Sequence, residues 1–342
     1  MTMSEYNARQ LNERTAEMLV NELYGIAGTA TAIHGEMDLN YRIKSIEGSY
    51  ILKVSRPDTD KQFIAFQADI LNYVGKSNGE ITTPVVIKNK KGNLVSSIKD
   101  KEGDTRFVRL YSWIEGRLWS SVNSYTEDLM CSLGKESAKI TKILQGYDHP
   151  VAHREFDWDI SQAEWTVKHA ALLDADIRHI ARRFQERFLD SRTLLASLRK
   201  GVVHNDANDN NIIVSPDLKE PVVVSIIDYG DAIYTELINN LAVTIAYAVM
   251  GTPDPLQAAL PIVKGYHEQF PLQEDELTLL YTLVAMRLVI SLTKSAMNKV
   301  KEPENTYLQI SEEPAKKLLQ KWYETDSLSA LSAFRKASNY LP

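Results

Sequence analysis

Short polar side chains cluster between two apolar runs in the stretch VVHNDANDNNIIV, residues 202–214. Asp206 and Asn211 stand five positions apart in it, and Asp228 closes the next apolar run, VVVSIID. Carboxylate and amide oxygens suit Mg²⁺, which usually takes one or two protein ligands beside phosphate oxygens and water. Two of these side chains could therefore hold a divalent cation while the third orients a nucleophile. An isolated pair with this spacing is also typical of a simple turn.

The elements around this cluster are predicted to bring the three side chains together. NIIVS and VVVSIID, separated by the turn-forming PDLKEP, predict a β-hairpin. In antiparallel strands joined by a short turn, the start of one strand lies beside the end of the other. Asn211 and Asp228 are therefore expected side by side, with Asp206 in front of them.

The N-terminal third of the chain is rich in predicted strands. Alternating apolar residues over 41–45 and 50–54 predict a hairpin with Lys53 on the polar face of its second strand. Helical periodicity predicts helices over 11–24 and 60–74. These elements favour a small β-sheet accompanied by helices.

The chain beyond this sheet changes from strand to helix. A second hairpin is predicted over 82–98, with Gly92 in its turn, and TRFVRLYSWIEG predicts a strand that runs into Gly116. Helices are then predicted over residues 126–145, 160–173, 175–198 and 235–251.

The bulk composition excludes several classes of protein. A net charge of −6 over 342 residues argues against attraction to nucleic acid or to anionic membranes. The single cysteine, Cys131, can form neither an internal disulfide nor a thiolate metal cluster. The polar start does not fit a signal peptide, and the apolar stretch 277–292 contains Arg287, which favours a buried core helix. A cytoplasmic location is expected.

HNDANDNN followed by IIDYGDA resembles the catalytic loop and metal-binding segment of the aminoglycoside phosphotransferase and choline kinase-like family. The family loop runs His-Gly-Asp, four residues, then Asn, so His204, Asp206 and Asn211 match it, while Asn205 replaces the glycine. Asp228 matches the downstream aspartate. These segments, together with REFDWDI at 154–160, look closest to the hydroxylysine kinase branch.

The resemblance implies an α+β, bilobal protein-kinase-like fold, with a small β-sheet lobe that includes a helix and a larger, mainly helical lobe. The expected limits are 1–110 for the nucleotide-binding lobe, 111–116 for a hinge and 117–342 for the catalytic and substrate-binding lobe. The implied cofactors are ATP and Mg²⁺, bound between the lobes. The absence of a protein-kinase Ala-Pro-Glu motif favours a small-molecule acceptor.

The resemblance also implies roles for the motif residues. Asp206 would orient and deprotonate the acceptor hydroxyl, and Asn211 and Asp228 would hold Mg²⁺. Lys53 would contact the ATP phosphates, while His204 is expected to brace the loop.

Two further parts of the implied nucleotide site are less direct. The family's helical glutamate has no clear match. By position Gln67 is expected to pair with Lys53, and the alternative is a different acid, with Asp69 and Asp60 on offer in the same predicted helix. Backbone around Arg109, Tyr111 and Trp113 is expected to contact the adenine.

The acceptor is expected to be a small, amine-bearing molecule. Asp157, Trp158 and Asp231 could form an anionic pocket with an apolar wall. The acids of this region could instead mark helix starts, and Asp231 could assist the metal site or be a helix cap. Arg287 is expected to be a buried pairing partner, with carboxylate binding as the alternative.

The predicted function is an ATP-dependent kinase that acts on a hydroxyl of an amino alcohol or hydroxyamino acid such as hydroxylysine, ethanolamine or aminopropanol. Alternatives are an aminoglycoside-type antibiotic kinase, a homoserine or choline kinase and, from another class, a catalytically silent nucleotide-binding regulator.

Overall fold

The computed structural model describes residues 11–33, 35, 38–77, 79–122, 125–301 and 312–340. The chain divides into two compact units, Met1–Glu115 and Gly116–Pro342. This division falls within the segment 111–116 for which a hinge is predicted. The chain start and part of the loop before Leu39 lie outside the described residues.

The N-terminal unit is built on one antiparallel sheet in the order β1-β2-β3-β6-β4, with β5 also paired to β6. Its strands are β1 Gly28–Ile33, β2 Leu39–Ser45, β3 Gly48–Val54, β4 Val86–Ile87, β5 Ser96–Lys99 and β6 Thr105–Ser112. The predicted hairpin of β2 and β3 is confirmed, and Leu52 and Val54 are buried on its apolar face. Lys53 lies between them in sequence and therefore points to the opposite face.

Two helices accompany this sheet, α1 Glu13–Tyr24 and α2 Lys61–Val74. Both were predicted, and each begins at a polar cap: the side chain of Asn12 accepts from Thr15 N–H, and that of Asp60 accepts from Gln62 N–H. The buried side of α1 joins the core of the sheet through Ala16 and Val20.

The predicted second hairpin is wrong in its pairing. A turn does form at Gly92, whose N–H donates to the Asn89 carbonyl at 2.8 Å. However, β4 and β5 do not pair with each other, because both pair with β6, at Leu110–Tyr111 and at Thr105–Val108. The short strands thus lie one after the other along the same edge of β6.

The C-terminal unit is mainly helical. Its helices are α3 Glu127–Leu144, α4 Trp165–Lys168, α5 Ala175–Asp190, α6 Arg192–Ser197, α7 Ile238–Ala248, α8 Pro255–Gln269, α9 Glu274–Lys301, α10 Glu312–Glu324 and α11 Ser327–Ala337. Its strands are β7 Arg117–Leu118, β8 Lys200–Val203, β9 Ile212–Val214, β10 Val223–Ile226 and β11 Ile233–Glu236. The predicted hairpin of β9 and β10 is confirmed.

Two helix predictions in this unit need correction. The predicted helix over 160–173 is broken into α4 and two 3₁₀ turns, Ile160–Gln162 and Ala170–Leu172. The predicted helix over 235–251 begins only at Ile238, because the preceding residues form β11 against β8. A four-residue strand shows too short an alternation to be separated by pattern from the apolar helix that follows it.

Helix α9 has the length and composition of a membrane span, with a mean hydropathy of 1.5 over its most apolar window. Within the protein, 89% of that window is buried. The predicted buried core helix is therefore what the structure shows. Its polar member Arg287 is buried with it, being 1% exposed.

Helices α3 and α8 cross at two glycines. A Cβ atom on Gly134 would lie 2.0 Å from the Ile262 carbonyl oxygen, and one on Gly265 would lie 2.1 Å from that of Cys131. We expect Gly134→Ala to lower the free energy of unfolding by about 3 kcal/mol, because the backbones must separate. Urea unfolding measures this. Gly75→Ala, where the nearest atom is 3.2 Å away, is the control, and equal effects of the two changes would contradict the close crossing.

Candidate active site

The loop between β8 and β9 begins with a buried imidazole brace. His204 Nδ1 accepts from the Asp206 backbone N–H at 3.2 Å, so Nε2 carries the proton and donates to the Ile227 carbonyl at 3.1 Å. Burial lowers the pKa of His204 to about 4, so the ring is neutral near pH 7. His204 therefore ties the loop to the segment just before Asp228, as predicted for a structural brace.

Two non-glycine residues of the site adopt the left-handed backbone region, Asn205 with φ +64° and Asp228 with φ +65°. Asparagine and aspartate tolerate this region better than other non-glycine residues do. Asn205 can therefore occupy the position of the family's glycine. Its side chain is fully buried, and neither its amide nitrogen nor its amide oxygen has a hydrogen-bond partner among the described residues.

Three side chains converge on the Asp206 carboxylate. Asn211 Nδ2 donates to Oδ2 at 2.7 Å, Asn208 Nδ2 lies 3.0 Å from each oxygen, and Arg287 Nη2 lies 3.5 Å from Oδ1. The Asp206 side chain is 20% exposed. The carboxylate is thus held in one orientation and keeps an accessible edge.

Burial and two neighbouring carboxylates disfavour the charged form of Asp206. Burial, followed by the charge of Asp231 and a smaller contribution from Asp228, raises the pKa of Asp206 well above its usual value. The positive charge of Arg287 and the hydrogen bond from Asn208 act in the opposite direction. A bound cation would offset the same negative potential.

Asn211 and Asp228 lie at neighbouring strand ends, as the hairpin predicts. Ile212 pairs with Ile226, and the Ile227 N–H donates to the Asn211 carbonyl at 2.8 Å, so Asp228 follows directly. Asn211 donates to Asp206 through Nδ2, and the amide oxygen of Asn211 takes no part in these hydrogen bonds. One amide oxygen and one carboxylate fit a hard divalent cation. Their role as ligands stays a prediction.

The segment after Asp228 is held by Arg154, the first residue of REFDWDI. Arg154 Nη1 donates to the Ala232 carbonyl at 2.8 Å, and Nη2 lies 3.5 Å from the Gly230 carbonyl. Asp228 itself caps the 3₁₀ turn Tyr229–Asp231 by accepting from the Gly230 N–H. The stretch REFDWDI therefore positions the predicted metal-binding segment.

Arg287 links Asp206 to the predicted substrate segment. Its Nη1 donates to the Trp158 carbonyl at 2.7 Å, and its guanidinium carbon lies 4.8 Å from the Trp158 ring centre and 5.4 Å from that of Tyr247. Both Nη groups are engaged and the side chain is 2% exposed. The predicted buried pairing partner is confirmed, and the alternative of direct carboxylate binding has no support in this geometry.

Replacing Arg287 tests its hold on the site. We expect Arg287→Met to lower kcat by about tenfold and the free energy of unfolding by about 3 kcal/mol, because one charge of a largely buried pair is left without its partner. Arg287→Lys should retain more of both, since it keeps the charge. Steady-state kinetics and urea unfolding measure the two effects. Wild-type values for the methionine variant would contradict the assigned role.

The N-terminal unit places a second cation opposite Lys53. Arg109 is the direct cross-strand partner of Lys53, so their side chains share a face of the sheet. Arg109 Nη2 bonds with Asp38 at 2.6 Å, and its Nη1 donates to the amide oxygen of Gln67 on α2. Gln67 therefore contacts Arg109, and its pairing with Lys53 stays a prediction.

The residues expected to contact adenine fall partly within β6. Arg109 and Tyr111 pair with neighbouring strands, so their backbone groups belong to the sheet. Trp113 lies beyond the strand, where its N–H donates to the Ser49 carbonyl at 3.0 Å and its ring stacks 4.2 Å from the Arg42 guanidinium carbon. The backbone that is not paired within the β-sheet therefore begins near Trp113.

The predicted substrate residues lie at different depths. Asp157 is 59% exposed and bonds with Lys294 of α9, while Trp158 is half-buried on Arg287. Asp231 is close enough to Asp206 to raise its pKa. The alternative that Asp231 caps a helix is wrong, because the cap of that turn is Asp228.

Acidic helix starts account for other acids of this region. Asp159 caps the turn Ile160–Gln162 by accepting from the Ser161 N–H, and Asp174 and Asp176 stand at the start of α5, where both pair with Lys316.

Sequence reasoning missed some residues that the structure brings to the site. Asn208 is not among the predicted site residues, yet its amide donates to both oxygens of Asp206. Lys294 had no assigned role. The available signal was its place seven residues after Arg287, just beyond the apolar stretch 277–292, which puts both cations on one helix face.

Comparison with known proteins identifies the class. A solved amicoumacin kinase, in complex with AMP-PNP and Ca²⁺, superimposes with a TM-score of 0.69 at 17% identity and covers 93% of this chain and 96% of its own. A microcompartment-associated aminopropanol kinase gives 0.63 at 18% identity, with 96% and 98% covered. At these identities the likeness shows the fold, which is the predicted α+β protein-kinase-like fold of phosphotransferases.

Residues 29–275 match the Phosphotransferase enzyme family, APH, and the chain belongs to that family. Hydroxylysine kinase of Danio rerio is 26% identical over 327 residues, which cover 90% of this chain and 90% of that protein. The resemblance is thereby confirmed. The chain is an ATP-dependent small-molecule kinase that transfers a phosphoryl group to a hydroxyl acceptor, and kinases of this family use a nucleotide with a divalent cation.

Proposed function

We propose that this kinase transfers the γ-phosphoryl group of ATP to a hydroxyl of an amino alcohol or hydroxyamino acid, with Mg²⁺ as its cation. The observation that supports the chemistry is the Asp206 carboxylate, oriented by Asn211 and Arg287 beside Asp228. The acceptor class is supported by the hydroxylysine kinases, which this chain resembles over 90% of its length.

Each residue of the site then has a defined task. Asp206 orients the acceptor hydroxyl and takes its proton, and Asn208 and Arg287 keep the carboxylate in place. Asn211 and Asp228 hold Mg²⁺, which when bound would neutralise charge on the phosphate oxygens. Phosphoryl transfer needs mainly positioning and charge stabilisation, so these few groups are sufficient.

The nucleotide is proposed to be bound by residues of the N-terminal unit. Lys53 contacts the phosphates, while Arg109, on the same face of the sheet, is buried and bonded to Asp38 and Gln67. Backbone beyond the end of β6 contacts the adenine, since it lies outside the β-ladder, although the Trp113 N–H itself donates to the Ser49 carbonyl.

The remaining alternatives are kinases with other acceptors. An aminoglycoside-type antibiotic kinase and a homoserine or choline kinase would use the same chemistry. A catalytically silent regulator has no support, since Asp206, Asn211 and Asp228 are all present in a phosphotransferase of this family.

An acceptor screen tests the proposal. ADP release is measured with hydroxylysine, ethanolamine, aminopropanol, homoserine, choline and aminoglycosides, with and without Mg²⁺. We expect the highest kcat/KM with hydroxylysine or an amino alcohol, and loss of turnover when the cation is chelated. Turnover with an aminoglycoside alone would overturn the proposed acceptor class.

A further inference from the structure

We propose that Asp157 and Lys294 form a head-group subsite that binds the ammonium and the carboxylate of a hydroxyamino acid. This inference rests on the proposed function and deepens it, because an amino alcohol has no carboxylate for Lys294 to bind. The subsite thus selects between the two acceptor classes that the proposed function contains.

Asp157 and Lys294 form an ion pair that a ligand can open. Lys294 Nζ bonds with Asp157 Oδ2, and the two side chains are 22% and 59% exposed. A single exposed pair contributes little to stability, so its separation costs little. An α-amino-acid head group has the same two charges. Its ammonium replaces Lys294 at Asp157, and its carboxylate replaces Asp157 at Lys294.

The backbone carbonyls of Asp157 and Trp158 accept hydrogen bonds from side chains of helices α4 and α9. Trp165 Nε1 donates to the Asp157 carbonyl at 3.0 Å, and Arg287 Nη1 donates to the next carbonyl, that of Trp158, at 2.7 Å. Lys294 Nζ also lies 5.1 Å from the centre of the Trp165 ring. These contacts hold the backbone that carries Asp157 in place before a ligand arrives, which lowers the entropic cost of binding.

Helix α9 sets the distance between this subsite and Asp206. Arg287 reaches Asp206 at 3.5 Å, and Lys294, two helical turns further along the same face, reaches Asp157. Two turns correspond to about 10 Å along the helix axis between the two residues. That span suits a chain of a few carbons between the reacting hydroxyl and the head group.

Two neighbouring residues complete the subsite without binding the carboxylate. Trp158 is half-buried with its ring on Arg287, and it offers an apolar wall to the carbon chain of the acceptor. Arg287 is buried and engaged by Asp206 and the Trp158 carbonyl, so the cation available to a carboxylate is Lys294.

The experiment compares two acceptors that differ by one group, hydroxylysine and its decarboxylated amine. With Lys294→Met, we expect KM for hydroxylysine to rise by about 10- to 100-fold, because a charge-assisted hydrogen bond is lost. KM for the amine should not rise and should fall if anything, because its ammonium no longer has to displace Lys294 from Asp157. The control is Lys135→Met, which removes another exposed ion pair, that of Lys135 with Glu268 at 2.9 Å, and should change neither KM.

A charge exchange separates recognition from structure. Asp157→Lys combined with Lys294→Asp retains an ion pair, so a merely structural role predicts unchanged kinetics. The exchanged pair would bind the ammonium where the wild type binds the carboxylate, and the carboxylate where the wild type binds the ammonium. A substrate fits that arrangement when the configuration at its α-carbon is inverted. We therefore expect the double variant to keep the melting temperature while losing at least about tenfold in kcat/KM for the enantiomer that the wild type prefers.

The outcomes distinguish the two proposals. If hydroxylysine and the amine are phosphorylated but Lys294→Met affects both equally, the subsite is wrong and the proposed function stands. If the wild-type protein phosphorylates neither hydroxyamino acids nor amino alcohols, both proposals fail.

Discussion

Asp206→Asn is expected to lower kcat by about 10²- to 10⁴-fold while ATP affinity remains close to that of the wild-type protein. The amide has nearly the same shape as the carboxylate but cannot take the proton of the acceptor hydroxyl. Its oxygen can still accept from Asn211, which donates to Oδ2 at 2.7 Å. Its nitrogen would then face Arg287 across the longer contact of 3.5 Å. The shape of the side chain is therefore kept while its proton-accepting group is removed. The free energy of unfolding should fall by about 3 kcal/mol, because the buried Arg287 charge loses its partner.

The measurement combines steady-state kinetics with nucleotide titration of the same variant. Asp209→Asn is the matched control, because it makes the same chemical change in the same loop at a side chain whose neighbour is Asn210. It should retain most of the wild-type kcat. An Asp206→Asn variant that keeps more than a tenth of the wild-type kcat would show that another group accepts the proton.

Asp228→Asn is expected to lower kcat/KM by at least about 10²-fold at a fixed Mg²⁺ concentration, because a charged cation ligand becomes neutral. Asparagine tolerates the left-handed backbone at this position, where φ is +65°, so the turn should survive. The amide oxygen can also replace the carboxylate oxygen that accepts from the Gly230 N–H. The change therefore acts on the cation more than on the fold.

A second readout does not depend on turnover. Mg²⁺ with ATP should raise the melting temperature of the wild-type protein, because a ligand that binds only the folded state stabilises it. That rise should shrink for Asp228→Asn. Asp217→Asn, in the turn between β9 and β10, is the control and should behave as wild type. An unchanged dependence on Mg²⁺ in the Asp228 variant would remove this residue from the cation site.

Local patterns predicted the parts of the site that depend on short-range geometry. The hairpin of β9 and β10 follows from alternating apolar residues around a turn, and its register brings Asn211 beside Ile227. The hairpin containing Lys53 follows in the same way. In both cases the partner strand is adjacent in sequence, so the turn determines the pairing.

Predictions from the sequence pattern were wrong where the partner strand is distant in the chain or where the element is short. The strands β4 and β5 look like a hairpin, yet both pair with β6, because the edge of an existing strand competes with the neighbouring segment. The strand β11 pairs with β8 over a separation that no local pattern reports. Pairing of this kind is decided by which surfaces are buried together.

The sequence by itself determined the residue types, the loop that contains Asp206 and Asn211, and the family to which the chain belongs. Only the tertiary structure decided that Arg287 holds Asp206, 81 residues away in the chain, and that Lys294 meets Asp157, 137 residues away. The reason is physical. Backbone preferences act over a few residues, whereas contacts between distant side chains depend on how a buried helix packs against a loop, which the whole core decides.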